Sequence, residues 1–260
     1  MPVNKFFTAW QFLKYQLSAG NAHNVHSPFV YELFNNVIHD KTPYYGFDLI
    51  ESLRARHLLN KIKINIIDYG TGKKIRSEFI CEVARKSLQQ KKYAQLLFRL
   101  VNRFASNNIL EIGTSLGIST LYLSLPDKKN HVFTLEGSPE IAALAQKNFN
   151  LLKRDNIELI CGEFEESLPL VLSKTPFLDF VYFDGNHQKN ATLSYFRKCI
   201  THTSEKSIFV FDDIHWSSDM NIAWEEIKYH PAVTLSIDLF QFGIVFFHKG
   251  QVKQHFTLRF

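Results

Sequence analysis

At 260 residues, 45 % of them hydrophobic, the chain is long and apolar enough to bury a full core, which excludes a disordered or low-complexity protein. Its net charge of +5 is uneven: residues 61–103 hold eleven Lys or Arg against Asp68, Glu78 and Glu82, a local net of about +8 that leaves about −3 elsewhere. No apolar run approaches the ~20 residues of a membrane span, the N-terminus lacks the order of a secretory signal, and Cys81, Cys161 and Cys199 have neither metal-ligand nor redox spacing, so a reduced, cytoplasmic protein is expected.

The first segment, KFFTAWQFLKYQL, sets Phe6, Trp10, Leu13 and Leu17 at helical spacing, an aromatic-rich stripe that needs an apolar cover. Lys5 and Lys14 would also suit a membrane surface, but packing against the following domain, or against a second copy in a homodimer, is the preferred expectation. Next, HSPFVYELFNNVI is predicted as a helix with Ser27 as N-cap and Pro28 in the first position, and FDLIESLRARHLLN as another after the turn TPYYG. His23, His26 and Tyr45 are read as capping or core residues rather than ligand contacts. INIIDYGTGKK, residues 64–74, is read as a turn between a short strand and a helix, with Gly70 and Gly72 supplying unusual backbone angles; a lesser alternative lays this loop over the ligand site. Beyond Lys74 the helical period continues through IRSEFICEVARKSLQQ and KKYAQLLFRLVNRF.

Near residue 105 the period changes to short apolar runs. Strands are predicted at 108–112, 131–136, 157–161, 178–184 and 207–213, alternating with helices, which implies parallel strands covered on both faces. VTLSIDLF and FGIVFFHK are too close in sequence for a crossover helix and should pair as an antiparallel hairpin. The expected architecture is α/β, a Rossmann-like, seven-stranded, mostly parallel sheet closed by a C-terminal hairpin. A mainly helical N-terminal extension, residues 1–90, precedes the domain at 91–260.

ILEIGTSLGIST, residues 109–120, is a strand that ends in Glu111 and Ile112 and runs through Gly113 and Gly117 into a helix, so a ligand can approach bare backbone. Nineteen residues after Gly117, Glu136 ends the second strand, where a carboxylate can accept from both hydroxyls of a ribose. Ser138 and Pro139 then open a helix. This constellation resembles the class I S-adenosylmethionine-dependent methyltransferases, whose first motif is an acidic residue followed by G-x-x-x-G rather than the G-x-G-x-x-G of dinucleotide-dependent dehydrogenases. The resemblance implies S-adenosylmethionine as cofactor, with Glu111 balancing its ammonium and, after the third strand, Glu163 and Phe164 against the adenine; Phe164 reads equally well as a core aromatic. Thr114, Ser115, Ser119, Gly137, Gly162 and Asp184 complete the expected cofactor contacts.

Carboxylates also end the fourth and fifth strands: Asp184 in VYFDGNH and the pair Asp212, Asp213 in FVFDDIHW. Oxygen ligands of this kind suit Mg²⁺ or another divalent cation that would hold and acidify a substrate hydroxyl. Here the resemblance narrows to the catechol and caffeoyl-coenzyme A type of O-methyltransferase and bacterial relatives, over about residues 90–247. That family implies metal ligands at Asp184, Asp212 and, with Asp replacing the family's Asn, Asp213, and it places a base lysine where this chain has His187. An imidazole is chemically suited to that task, beside the plainer alternative that His187 only lines a pocket. Asp213 reads alternatively as a turn cap, and His215 and Trp216 as pocket walls.

The expected activity is therefore methyl transfer to an oxygen of a small hydroxylated molecule. A nucleic-acid methyltransferase is prompted by the basic segment, but no N/D-P-P-Y/F motif follows the fourth strand. A non-catalytic module that binds the cofactor, or a partner through its aromatic helix, is the remaining alternative.

Overall fold

The computed structural model describes residues 5–21, 26–69, 73–250 and 252–260, so His23, Gly70 and Gly72 lie outside the described residues. The chain divides into two compact units, Lys41–Pro176 and the discontinuous Met1–Asp40 with Phe177–Phe260, a different line from the boundary near residue 90. The discontinuous unit opens with helices α1 (Lys5–Ser18) and α2 (Pro28–Leu33), the latter running into a π-helical turn at Phe34–Ile38. The continuous unit comprises α3 (Gly46–Leu59), β1 (Lys63–Asp68), β2 (Lys74–Phe79), α4 (Ile80–Ser87), α5 (Lys91–Phe104), β3 (Asn108–Ile112), α6 (Ile118–Ser124), β4 (His131–Glu136), α7 (Pro139–Leu151), β5 (Ile157–Cys161) and α8 (Phe164–Lys174). The discontinuous unit resumes with β6 (Leu178–Phe183), α9 (Lys189–Ile200), β7 (Thr203–Phe211), α10 (Ser218–Lys228), β8 (Leu235–Asp238), β9 (Gly243–Phe246) and β10 (Gln254–Thr257).

In the continuous unit β4 pairs in parallel with β3 and with β5. Ile109, Leu110, Ile112, Val132 and Leu135 are fully buried, as expected of parallel strands covered on both faces. One cluster packs Phe47 and Ile50 of α3 with Phe98 of α5, Tyr122 of α6 and Phe149 of α7; a second joins Ile64 and Ile66 of β1 to Ile80 and Val83 of α4 and Ile141 of α7. The helical expectation for residues 75–79 is corrected: with Lys74 they form β2, antiparallel to β1 in continuous register from Lys63↔Phe79 to Asp68↔Lys74. Pairing with β1 outweighs the local period, and it buries Glu78 against Arg76 and Lys86.

In the discontinuous unit the strands run β6, β7, β9, β8, β10, parallel between β6 and β7 and between β8 and β10, and antiparallel on both sides of β9. The predicted hairpin is thus β8–β9. Among the described residues the main sheet numbers eight strands, β3 to β10, rather than seven; the addition is β10, a four-residue edge strand without an apolar run to announce it. The core here is aromatic: Phe183 stacks on Phe211 at 4.3 Å, and Phe196 and Trp224 close around Phe211. Ser27 caps α2 with Pro28 at its first turn, as expected. The aromatic stripe of α1 is not its packing face. Phe6 and Leu17 are 90 % and 81 % exposed, whereas Tyr15 is buried, donates to the Leu258 carbonyl at 2.6 Å and, with Phe12, packs on Phe240.

Candidate functional site

The turn after β3 is shaped by its glycines and by hydrogen bonds. Gly113 (φ 108°) and Gly117 (φ 79°) both lie in the left-handed region, and the amides of Gly113 and Thr114 donate to the Leu135 carbonyl at 3.0 Å each. A Cβ on Gly117 would sit 2.5 Å from Cε1 of Phe149, so helix packing and backbone conformation both demand glycine there. Ser115, also left-handed at φ 49°, meets the Ser87 hydroxyl at 2.6 Å.

Two carboxylates serve this turn differently. Glu111 is fully buried; its Oε2 accepts from the Thr120 and Thr134 hydroxyls, and Thr134 in turn meets Thr114 at 2.6 Å. Burial pushes the Glu111 carboxyl up to about 7, against the pull of the Ser119, Thr120 and Thr134 hydroxyls. Glu136 keeps some exposed surface, and its oxygens are aimed by backbone: Oε2 accepts from the Ser115 amide and Oε1 from the Ser138 amide, both at 2.9 Å. Its carboxyl is also raised to about 7 by burial, and the amides of Ser138, Ser115 and Gly137 oppose the shift. Beyond Glu136, the Gly162 amide donates to its carbonyl at 2.9 Å, and Glu163 and Phe164, both partly buried, open α8.

The discontinuous unit carries the other carboxylates. Asp184 Oδ1 lies 3.7 Å from His187 Nε2 across a loop that Asn186 turns in a left-handed conformation (φ 52°). The buried Asn186 Oδ1 meets no hydrogen-bond donor among the described residues. The Asp212 amide donates to the Phe183 carbonyl at 2.9 Å, and Asp213 adopts φ 54°. Burial raises the Asp213 carboxyl above the usual range, and His187 acts in the opposite direction. His215 is fixed at both nitrogens, Nε2 to Asp238 Oδ2 at 2.7 Å and Nδ1 to Asn221 Oδ1 at 2.8 Å, and stacks on Phe240. Together these contacts raise the His215 pKa although burial opposes them.

Residues 110–214 match the model of a methyltransferase domain. A catechol O-methyltransferase of Niastella koreensis is 30 % identical over 132 residues, 49 % of this chain and 57 % of that protein. One of Mycobacterium tuberculosis is 30 % identical over 130 residues, 49 % of this chain and 56 % of that protein. The chain thus matches little more than half the length of these relatives. Among solved structures, an O-methyltransferase from Bacillus cereus in complex with SAH aligns at a TM-score of 0.57 and 20 % identity, over 79 % of this chain and 91 % of that one. An SAH-bound methyltransferase from Podospora anserina aligns at 0.56 and 16 %, over 81 % and 99 %. At these identities the structural likeness concerns the fold.

Residues 110–214 are thus similar to a methyltransferase domain, and the relatives matched in sequence are O-methyltransferases, in line with the resemblance to the class I S-adenosylmethionine-dependent family.

Within this stretch the structure brings Glu111, Gly113, Thr114, Ser115, Ser119 and Glu136 around one turn, and it pairs Asp184 with His187. It does not assemble Asp184, Asp212 and Asp213 into a metal-holding group: among the described residues no three His, Cys, Asp or Glu side chains form one. Asp184 faces an imidazole, and burial favours the neutral form of Asp213, so the donors present do not fit a resident divalent ion. Tyr45 is 91 % exposed and precedes α3 without a side-chain cap hydrogen bond, which corrects its reading as a core or capping residue. His215 links Asn221 of α10 to Asp238 at the end of β8, and Trp216 is 43 % exposed. In the basic segment Lys73 pairs with Glu163, Arg76 and Lys86 pair with Glu78, and Arg99 is buried, so several of its charges are engaged within the fold. Among the described residues no helix is long and apolar enough to cross a membrane. Sequence reasoning missed Tyr69, Lys73, Ser87 and Asn186. For the first two the available signal was the acidic-glycine run at 64–74, whose lesser alternative is the one their contacts with Gly137 and Glu163 favour.

Proposed function

We propose that this protein is an S-adenosylmethionine-dependent methyltransferase acting on an oxygen of a small hydroxylated molecule. The carrying observation is Glu136: a strand-end carboxylate whose two oxygens are aimed by the Ser115 and Ser138 amides while part of its surface stays open. Backbone amides hold the carboxylate in place, and the part of its surface that stays open leaves it able to accept from a ribose hydroxyl. Gly113 and Gly117 give the methionine portion bare backbone, and Glu111 lies buried beneath the turn, where the arrival of the ligand's ammonium would draw its carboxyl towards the ionised form that burial alone disfavours. Glu163 and Phe164 are assigned to the base.

When bound, the sulfonium nucleoside supplies an electrophilic methyl group. His187 takes the acceptor's hydroxyl proton: with Nε2 turned to Asp184, Nδ1 is the atom left to receive it, and Asp184 stabilises the imidazolium that forms. The freed oxygen lone pair attacks the methyl carbon, and the pair of the breaking carbon–sulfur bond returns to sulfur. The unmet Asn186 Oδ1 suits an acceptor that carries a donating hydroxyl. Proton handling is assigned to these side chains, with no step through a metal ion.

Titration calorimetry with S-adenosylmethionine and with S-adenosylhomocysteine, followed by a screen of phenols, catechols and other hydroxylated acceptors for methyl transfer, tests this reading. Heat from both nucleosides and turnover of a small acceptor are expected. No heat from either, or binding of a nicotinamide dinucleotide instead, would overturn it; cofactor binding without turnover of any acceptor would favour a non-catalytic module.

A further inference from the structure

The β1–β2 hairpin precedes the stretch that matches the methyltransferase domain, yet the end of β1 contacts the residues that directly follow Glu136. A Cβ on Gly137 would lie 2.8 Å from Tyr69 Cδ2 and 3.2 Å from its Cε2, so the Tyr69 ring rests directly on the backbone next to Glu136, in the volume a side chain at 137 would fill. This placement is anchored. In β1 the Asn65 amide and side chain both donate to Glu140, at 2.8 and 3.0 Å, and the Ile67 amide donates to the Ser138 hydroxyl at 3.3 Å, so the strand is tied to the first turn of α7 immediately after Gly137. Lys73 Nζ lies 5.4 Å from the ring centroid and pairs with Glu163 Oε2 at 2.9 Å. Tyr69 is only partly buried, so some of the ring surface remains available.

A nucleoside whose ribose is held by Glu136 projects its base from that sugar within a few ångströms of the ends of β4 and β5. An aromatic face there is a stacking platform, and a cation over the ring adds attraction. We propose that Tyr69 is the nucleobase wall of the cofactor site, held in place by the Lys73–Glu163 ion pair; this rests on the reading of Glu136 given above.

The test compares S-adenosylhomocysteine with S-ribosylhomocysteine, the same ligand without its base, by calorimetry. Tyr69→Ala should weaken the first by about tenfold, the scale of one aromatic–base stack, and the second by less than about twofold, while Tyr69→Phe keeps wild-type affinity for both. Lys73→Met should weaken S-adenosylhomocysteine by about two- to fivefold, in proportion to an exposed ion pair. An unchanged affinity ratio between the two ligands in Tyr69→Ala, or tighter binding of S-adenosylhomocysteine, overturns the assignment while leaving the methyltransferase reading intact. Failure of the wild-type protein to bind S-adenosylhomocysteine overturns both.

Discussion

The glycine turn after β3 and the acidic loops after β6 and β7 both present carboxylates at strand ends, but they are built on different principles. In the first, Glu111 and Glu136 are fixed by short contacts to hydroxyls and backbone amides, and the bends fall on Gly113 and Gly117, with Ser115 the one bulkier residue in a left-handed conformation. In the second, Asp184 Oδ1 lies 3.7 Å from His187 Nε2, and the left-handed positions are Asn186 and Asp213, polar residues that tolerate that backbone better than most. Phe240, left-handed in the turn between β8 and β9, is held by Asp238 Oδ1 accepting from its amide, and Asp238 also holds His215. The first region is fixed by buried carboxylates and glycine bends; the second bends at polar residues and carries a longer carboxylate–imidazole separation.

The comparison breaks most visibly at Gly117. Valine there meets Phe149, a fully buried ring, and needs φ near 79°, so a loss of about 3 kcal/mol or more in stability is expected together with loss of nucleoside binding. Chemical denaturation and calorimetry read both. At the other region the expected effect falls on rate: His187→Ala should lower kcat by about 10²–10⁴ and leave the dissociation constant for S-adenosylhomocysteine within about twofold. A kcat that stays near wild type in His187→Ala, with the same pH profile, would remove the base assignment.

How much of each region is legible in the sequence follows from this difference. The parallel strands and the Gly113–Gly117 turn are written in short apolar runs and neighbouring residues, and they lie where the period placed them. Glu136 is legible because it stands at the end of its own strand. Residues 74–79 are not, since their strand exists only through pairing with β1, and β10 is an edge strand with no period of its own. The stripe of α1 misled because periodicity tells which residues share a face and not which face packs; Tyr15, off the stripe, is the buried one. Tyr69 on Gly137 joins residues far apart in the chain, and nothing local in either segment predicts that contact.

A smaller effect sharpens the electrostatic half of the comparison. Because burial raises the Glu111 carboxyl to about 7, the native state holds its proton more tightly than the unfolded chain, whose glutamates titrate near 4.5. The stabilisation linked to this proton is present below about 4.5, is lost as the pH rises from there to about 7, and stays lost above it. Glu111→Gln carries no such proton, so the melting temperature of the wild type relative to this variant should fall as the pH goes from 5 to 8, by about 2–4 °C for each kcal/mol of linkage. Parallel melting curves across that range would sink the account of Glu111 as a carboxyl whose charge is suppressed by its surroundings.

The smallest effect expected is that of chelation. Three strand-end carboxylates suggested a divalent ion, but Asp184 faces His187, Asp213 is buried where its neutral form is favoured, and no metal-holding group of three side chains forms among the described residues. An imidazole that takes the proton itself has no need of an ion to acidify the hydroxyl, so methyl transfer measured before and after exhaustive dialysis against a chelator should differ by less than about twofold. A collapse in turnover restored by Mg²⁺ would mean that the loops after β6 and β7 rearrange on loading. The contrast between a fixed cofactor turn and adaptable acidic loops would then hold, with the adaptability serving a metal rather than a histidine base.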